Sequence, residues 1–100
     1  MVKGKERTDF GWALDKMRHG FKVMRNGWNG KGMYIWLVGS TNVQKSWIKE
    51  PGLLEAIGEQ ESIECLGFIR MKTADNKILS GWLASQTDML SEDWEIYEEE

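Results

Sequence analysis

The stretch "MYIWLV", Met33 to Val38, decides how the rest of the chain is read. Successive side chains of a strand point to opposite faces. Here both sets are apolar, Met33, Ile35 and Leu37 against Tyr34, Trp36 and Val38. A strand with one wet face alternates, so this one is expected to be covered on both sides, by a second layer or a second subunit.

Just upstream lies "NGWNGKG", Asn26 to Gly32, a glycine-rich connection with a tryptophan inside it. Connections usually carry small polar residues, and a large ring gains little there unless something covers it. The protein itself, a second chain or a bound molecule can cover Trp28. Before it, "FKVMR" (Phe21 to Arg25) reads as a short strand with Phe21 and Val23 on one face. "TDFGWALDKMRHG" reads as a helix: Thr8 or Asp9 caps its start, and Gly20 can take the left-handed conformation that ends it. Phe10, Ala13, Leu14 and Met17 form its core stripe. Trp12 lies roughly opposite and is expected to meet solvent or a partner.

Downstream, residues 39–66 read as an irregular surface excursion, in which "KEPGLLEAIGE" holds a short helix started by Pro51 and closed near Gly58. "GFIRMKT" alternates, with Ile69 and Met71 on one face and Arg70 and Lys72 on the other. "ADNK" is a hairpin turn, since Asp75 and Asn76 tolerate positive φ, and "ILSGWL" returns as the partner strand. In "SQTDMLS", Ser85 and Asp88 stand three apart, as in a capping box, before a final strand "DWEIY" with Trp94 and Ile96 on one face. Regular parallel crossovers are missing. The expected fold is therefore α+β: a small antiparallel β-sheet with an N-terminal helix and a short helical turn before the last strand, in one domain over residues 1–100.

A chain of 100 residues with 41% apolar content has a modest core, so a deep pocket enclosed by one copy is not expected. One cysteine, Cys65, allows neither an internal disulfide nor a cysteine metal cage. It reads as a buried small hydrophobe, because no basic neighbour in sequence lowers its pKa. No apolar run has membrane-spanning length and the charged N-terminal segment lacks a signal peptide's apolar region, so a soluble cytoplasmic protein is expected, with no membrane partner. The net charge of -3 is unevenly spread. Residues 16–32 hold Lys16, Arg18, Lys22, Arg25 and Lys31 and no acid, while the tail from Glu92 is purely acidic. That suits a small anion better than long nucleic acid, which the tail would repel.

Catalytic machinery is not visible. The one histidine, His19, sits in the last turn of a predicted helix, where the dipole favours it. The carboxylates cluster in the acidic tail, which does not raise a pKa for acid catalysis. No metal site and no cofactor are expected. Six tryptophans in so short a chain favour ligand stacking or subunit contacts instead. Two segments combine rings, glycines and polar groups: "RNGWNGKG" and "GWLASQTD". In the first, Arg25 and Lys31 bring charge, Trp28 a flat face and Asn29 an amide. In the second, Trp82 brings a ring, and Ser85, Gln86, Thr87 and Asp88 can hydrogen-bond a base edge or ribose. On composition alone each segment reads first as scaffold, the one a hairpin connection with Trp28 folded onto the sheet and the other a capped turn.

At these same segments the chain resembles a phage family. "FGWAL" at 10–14, "RNGWNGKGM" at 25–33, "MKTAD" at 71–75 and "GWLASQTDMLSEDWEI" at 81–96 together look like the Thoeris anti-defence protein of the second type. The likeness spans the chain except residues 1–7 and about 39–66. It implies a sponge in the cytoplasm of the infected bacterial host. Such a protein binds the cyclic ADP-ribose isomer (glycocyclic ADP-ribose) made by a TIR-domain enzyme and holds it without degradation. The resemblance also implies a homo-oligomer, a tetramer with pockets between subunits, and cyclic dinucleotides of related systems as further ligands. On it, adenine stacks on an aromatic ring, the pyrophosphate meets Arg25 or Lys31, and the "SQTD" segment holds ribose. An enzyme that modifies the cyclic nucleotide, a protein-binding inhibitor of a defence component and a single-strand binder are the rival readings.

Overall fold

A computed structural model describes residues 8–98; the charged segment 1–7 and the tail residues Glu99 and Glu100 lie outside the described residues. In chain order the elements are α1 (Phe10–Arg18), β1 (Val23–Arg25), β2 (Tyr34–Val38), β3 (Thr41–Gln44), a 3-10 turn (Lys45–Trp47), α2 (Pro51–Ile57), β4 (Ser62–Cys65), β5 (Phe68–Lys72), β6 (Ile78–Ser80), α3 (Gln86–Leu90) and β7 (Trp94–Ile96). This is the α+β arrangement on antiparallel sheets, with an N-terminal helix and a helical turn before the last strand. The chain forms two compact units. One runs up to Val38 and resumes at Ile69; the other is Gly39–Phe68.

In the first unit five strands form a sheet in the order β6-β5-β2-β1-β7. Val23 faces Ile35 across β1 and β2, and Ile96 across β1 and β7, so these side chains share one side. α1 covers that side. Asp9 caps it by accepting a hydrogen bond from the Trp12 backbone N–H at 2.9 Å, and Gly20 follows its end at φ +94°. Ala13 and Met17 are buried against Val23, Ile35, Met71 and Trp94, with Phe10 and Leu14 packed on the margin as the stripe predicts. Each fully buried aliphatic side chain contributes about 1.5–3 kcal/mol to holding helix and sheet together. Trp12, expected to meet solvent or a partner, is only partly exposed in this chain. It is half-buried against the same core, because so large an indole reaches in from the helix flank, with Lys16 Nζ over its ring at 5.7 Å.

The turn 74–77 closes as the residue types require. Asn76 has φ +65°, and Thr73 and Lys77 exchange hydrogen bonds, one at 2.8 Å from the Thr73 N–H to the Lys77 carbonyl. β6 is short because Gly81, at φ +84°, turns the chain so that the N–H groups of both Gly81 and Trp82 reach the Ile69 carbonyl. Trp82 is thereby sent into the aromatic margin of the core.

Among the described residues of one chain, β2 is fully buried on one face only, at Ile35, and half-buried on the other. Ile35 is fully buried under α1, whereas Tyr34, Trp36 and Val38 opposite are half-buried and Leu37 is exposed. The rings on that second face cover one another instead of being roofed. Tyr34 stacks on Tyr97 at 4.3 Å and contacts Trp36 at 5.6 Å, and Lys22 Nζ lies over Tyr34 at 4.7 Å.

The second unit corrects the reading of 39–66 as irregular. β3 and β4 pair antiparallel from Thr41↔Cys65 to Gln44↔Ser62. α2 starts with Pro51 and ends at Gly58, at φ +57°, as predicted, and buries Ile57. Cys65 is half-buried rather than enclosed, and Trp47 is 66% exposed. No helix among the described residues is long and apolar enough to cross a membrane.

Core and surface should respond differently to truncation. Ile35→Ala is expected to cost about 2–5 kcal/mol of unfolding free energy in a denaturant titration. Leu83→Ala, at a site 89% exposed, should stay within about 0.5 kcal/mol.

Candidate functional site

Arg25 ends β1 on the side that faces the core, opposite Trp94 in the register. A guanidinium there needs acceptors, and two carboxylates supply them. Nη1 donates to Asp88 Oδ1 at 2.8 Å, and Nε donates to Asp93 Oδ1 at 2.9 Å. The Arg25 side chain is only 13% exposed. Its planar fork lets one cation serve two separate acids, which a lysine could not do with the same geometry.

Asp88 is the buried polar residue of the core. Its position follows from the capping box foreseen in the sequence: Ser85 N–H donates to Asp88 Oδ2 at 3.2 Å, and Asp88 N–H donates to Ser85 Oγ at 3.0 Å. The indole N–H of Trp28 donates to Asp88 Oδ1 at 3.1 Å, and that of Trp94 donates to the Asp88 carbonyl at 3.1 Å. Asp93, just ahead of β7, turns its second oxygen to the Gly27 N–H at 2.7 Å. Burial opposes ionisation of both acids, but donors outweigh it: Trp28, Arg25 and Ser85 for Asp88, Arg25 and the Gly27 N–H for Asp93. Both carboxyls are held below the ordinary aspartate value. The Asp93 hydrogen bond, against some burial, raises Arg25 in turn.

Trp28 is therefore covered in part by its own chain. Its ring meets Trp82 edge-on at 6.2 Å and Trp94 at 5.4 Å, and Phe10 adjoins both of those rings. The remaining side of the loop borders a hollow of about 340 Å³, lined by residues 24–26, 28–33 and Tyr97. Two glycines keep the loop tight. A Cβ on Gly30 would lie 2.5 Å from Ala74 Cβ and 2.7 Å from Met33 Sδ, and one on Gly27 would lie 2.8 Å from Asp93 Oδ2.

The structure joins the two segments singled out in the sequence, through Asp88, Arg25 and Trp28, but gives their residues different surroundings. Arg25, Trp28, Asn29 and Lys31 line the hollow. Trp82 is half-buried behind Trp28, and Asp88 is engaged inward. Ser85, Gln86 and Thr87 are exposed at the start of α3, away from the hollow's lining. Met24, Gly27, Asp93 and Tyr97 were not foreseen. Asp93 read as one more tail acid, and its bond to a residue 68 positions away leaves no local pattern. A further hollow of about 280 Å³ lies at Met17, Gly20–Lys22, Tyr34, Trp36 and Leu37, with one cation and mostly apolar walls. The loop hollow is the better candidate, since it combines an indole, two side-chain amides, a lysine and glycine backbone.

A family model described as "Thoeris anti-defense 2-like domain" matches residues 8–97. Over 93 residues the chain is 41% identical to "Thoeris anti-defense 2" of Bacillus phage SP01, covering 92% of this chain and 97% of that protein.

The depressed acids predict the acid response. Their contribution to stability is fully present above the ordinary aspartate pKa of about 3.9 and is lost as pH falls below it, through the lower folded-state values. Thermal unfolding followed from pH 6 to pH 2 should show this loss, and Asp88→Asn should flatten the slope while lowering stability by about 3 kcal/mol at neutral pH.

Proposed function

Since the chain belongs to the Thoeris anti-defense 2-like family, we propose that it binds and sequesters a cyclic ADP-ribose-type immune signal, glycocyclic ADP-ribose, without degrading it. The observation that carries this reading is the loop hollow, about 340 Å³ in volume, where Trp28, Asn26, Asn29 and Lys31 meet glycine backbone. That size lies in the range of about 300–1,000 Å³ typical of small-molecule sites. Trp28 offers a base a stacking surface. Lys31 and the loop N–H groups meet a phosphate, and the two asparagines supply donors and acceptors for ribose. Arg25, already neutralised by two acids, contributes mainly by fixing the loop.

Nanomolar retention needs about −12 kcal/mol. Stacking at about 1–3 kcal/mol per base and charge-assisted hydrogen bonds at about 1.5–3 kcal/mol each reach that value only where water is excluded. The hollow is open on one side, so a second copy closing it is part of the proposal, in a homotetramer with the exposed Ser85, Gln86 and Thr87 available at such a junction. Cyclic dinucleotides of related systems are proposed as additional ligands. Sequestration requires affinity and abundance, not transition-state stabilisation. The place of action is the cytoplasm of the infected cell, where a TIR-domain enzyme would make the signal.

Incubation with glycocyclic ADP-ribose should deplete it from the filtrate, and heating should return it with unchanged mass; a product of different mass would show an enzyme instead. Lys31→Glu should weaken uptake by at least about tenfold, equivalent to about 1.4 kcal/mol. Trp28→Phe keeps a ring between Trp82 and Trp94 and should weaken uptake while preserving the fold. Full retention of uptake in both variants would move the site elsewhere.

A further inference from the structure

Asp93 makes three contacts to the start of the loop. Its side chain accepts from Arg25 Nε at 2.9 Å and from the Gly27 N–H at 2.7 Å, and its backbone carbonyl accepts from the Asn26 N–H at 3.0 Å. We propose that Asp93 is a positioning residue of the capture site: its carboxylate seats the chain at Gly27 and so fixes where Trp28 and Lys31 stand. This rests on the reading above that the 26–32 loop borders the ligand.

Three features single out Asp93 among the acids. First, its carboxylate is pressed against backbone. A Cβ on Gly27 would lie 2.8 Å from Asp93 Oδ2 and 3.0 Å from Arg25 Nη2, so a side chain at residue 27 would push the carboxylate from its present seat. Secondly, the other end of the loop is held independently, where Gly30 abuts Ala74 and Met33. Asp93 thus controls the first half. Thirdly, its role is separable from the core. Asp88 caps α3 and accepts from Trp94 by its carbonyl, whereas the Asp93 side chain is 33% exposed and reaches only the loop and Arg25. Arg25 has a separate bond to Asp88 through Nη1, which does not pass through Asp93. A loop that must be ordered on binding captures more weakly and releases sooner than one already set.

Amide hydrogen exchange by ¹H–¹⁵N NMR on the ligand-free full chain tests this. In Asp93→Asn the Gly27 amide should exchange at least tenfold faster while the amides of Ala13, Val23 and Ile35 keep their rates. Unchanged Gly27 exchange, or an equal acceleration at the core amides, would overturn the proposal. A double-mutant cycle gives a second reading. Gly27→Ala should displace the loop resonances strongly in the native background and weakly alongside Asp93→Ala, where the obstructing oxygen is gone; equal displacement in both would also overturn it. With glycocyclic ADP-ribose as probe, Asp93→Asn should release at least tenfold faster than the native protein, and equal release from a loosened loop would break the link to capture. If the native chain takes up no probe, the sequestration reading falls, while the exchange comparison still decides whether Asp93 seats the loop.

Discussion

One guanidinium between two carboxylates ties together the unit of this chain that carries the candidate site. Arg25 ends β1, Asp88 lies in α3 and Asp93 precedes β7, so their hydrogen bonds tie together parts of the chain more than 60 residues apart. Taking such charges partly out of water is costly. The cost is offset because every acceptor has more than one donor: Asp88 also receives the Trp28 indole and the Ser85 N–H, and Asp93 receives Gly27. No buried side-chain polar atom among the described residues is left without a partner. The ion triad is thus also the frame on which Trp28 is hung, with Trp82 and Trp94 at its edges.

On the proposed reading, this arrangement separates charge that builds from charge that binds. Arg25 is committed inward, and Lys31 on the rim is exposed. A ligand on the proposed reading is met by an indole, amides, backbone N–H groups and one accessible cation. That mixture suits a compact polar molecule with a planar base, since affinity comes from many moderate contacts in a preset geometry.

The parts of the fold that were legible in the sequence are those with a local cause. The α1 stripe, the Ser85–Asp88 capping box, the Asn76 turn and the Pro51–Gly58 bounds of α2 each depend on residues a few positions apart, and all appear as read. What escaped depends on distant partners. β3, "TNVQ", has a single apolar residue and is a strand only because β4 lies beside it. The apolar second face of β2 suggested a covering layer or a second subunit; within this chain Tyr34, Trp36 and Tyr97 shield one another, with Lys22 Nζ over the Tyr34 ring. In the candidate site, the hollow-lining Trp28, Asn29 and Lys31 could be picked out by composition. The commitment of Arg25 to Asp93 could not, because the acid lies in a run of glutamates that reads as solvated.

Gly27 and Gly30 have no space for a side chain, while Asn26, Asn29 and Lys31 between and beyond them are exposed. Variation along this short segment is therefore partitioned. Two positions are closely approached, Gly27 by the Asp93 carboxylate and Gly30 by Ala74, and three display polar side chains on the exposed side. On the proposed reading, a lineage facing a host that changes its messenger has a ready substrate for adaptation here, since a new rim can be tried on much the same backbone, one exchange at a time.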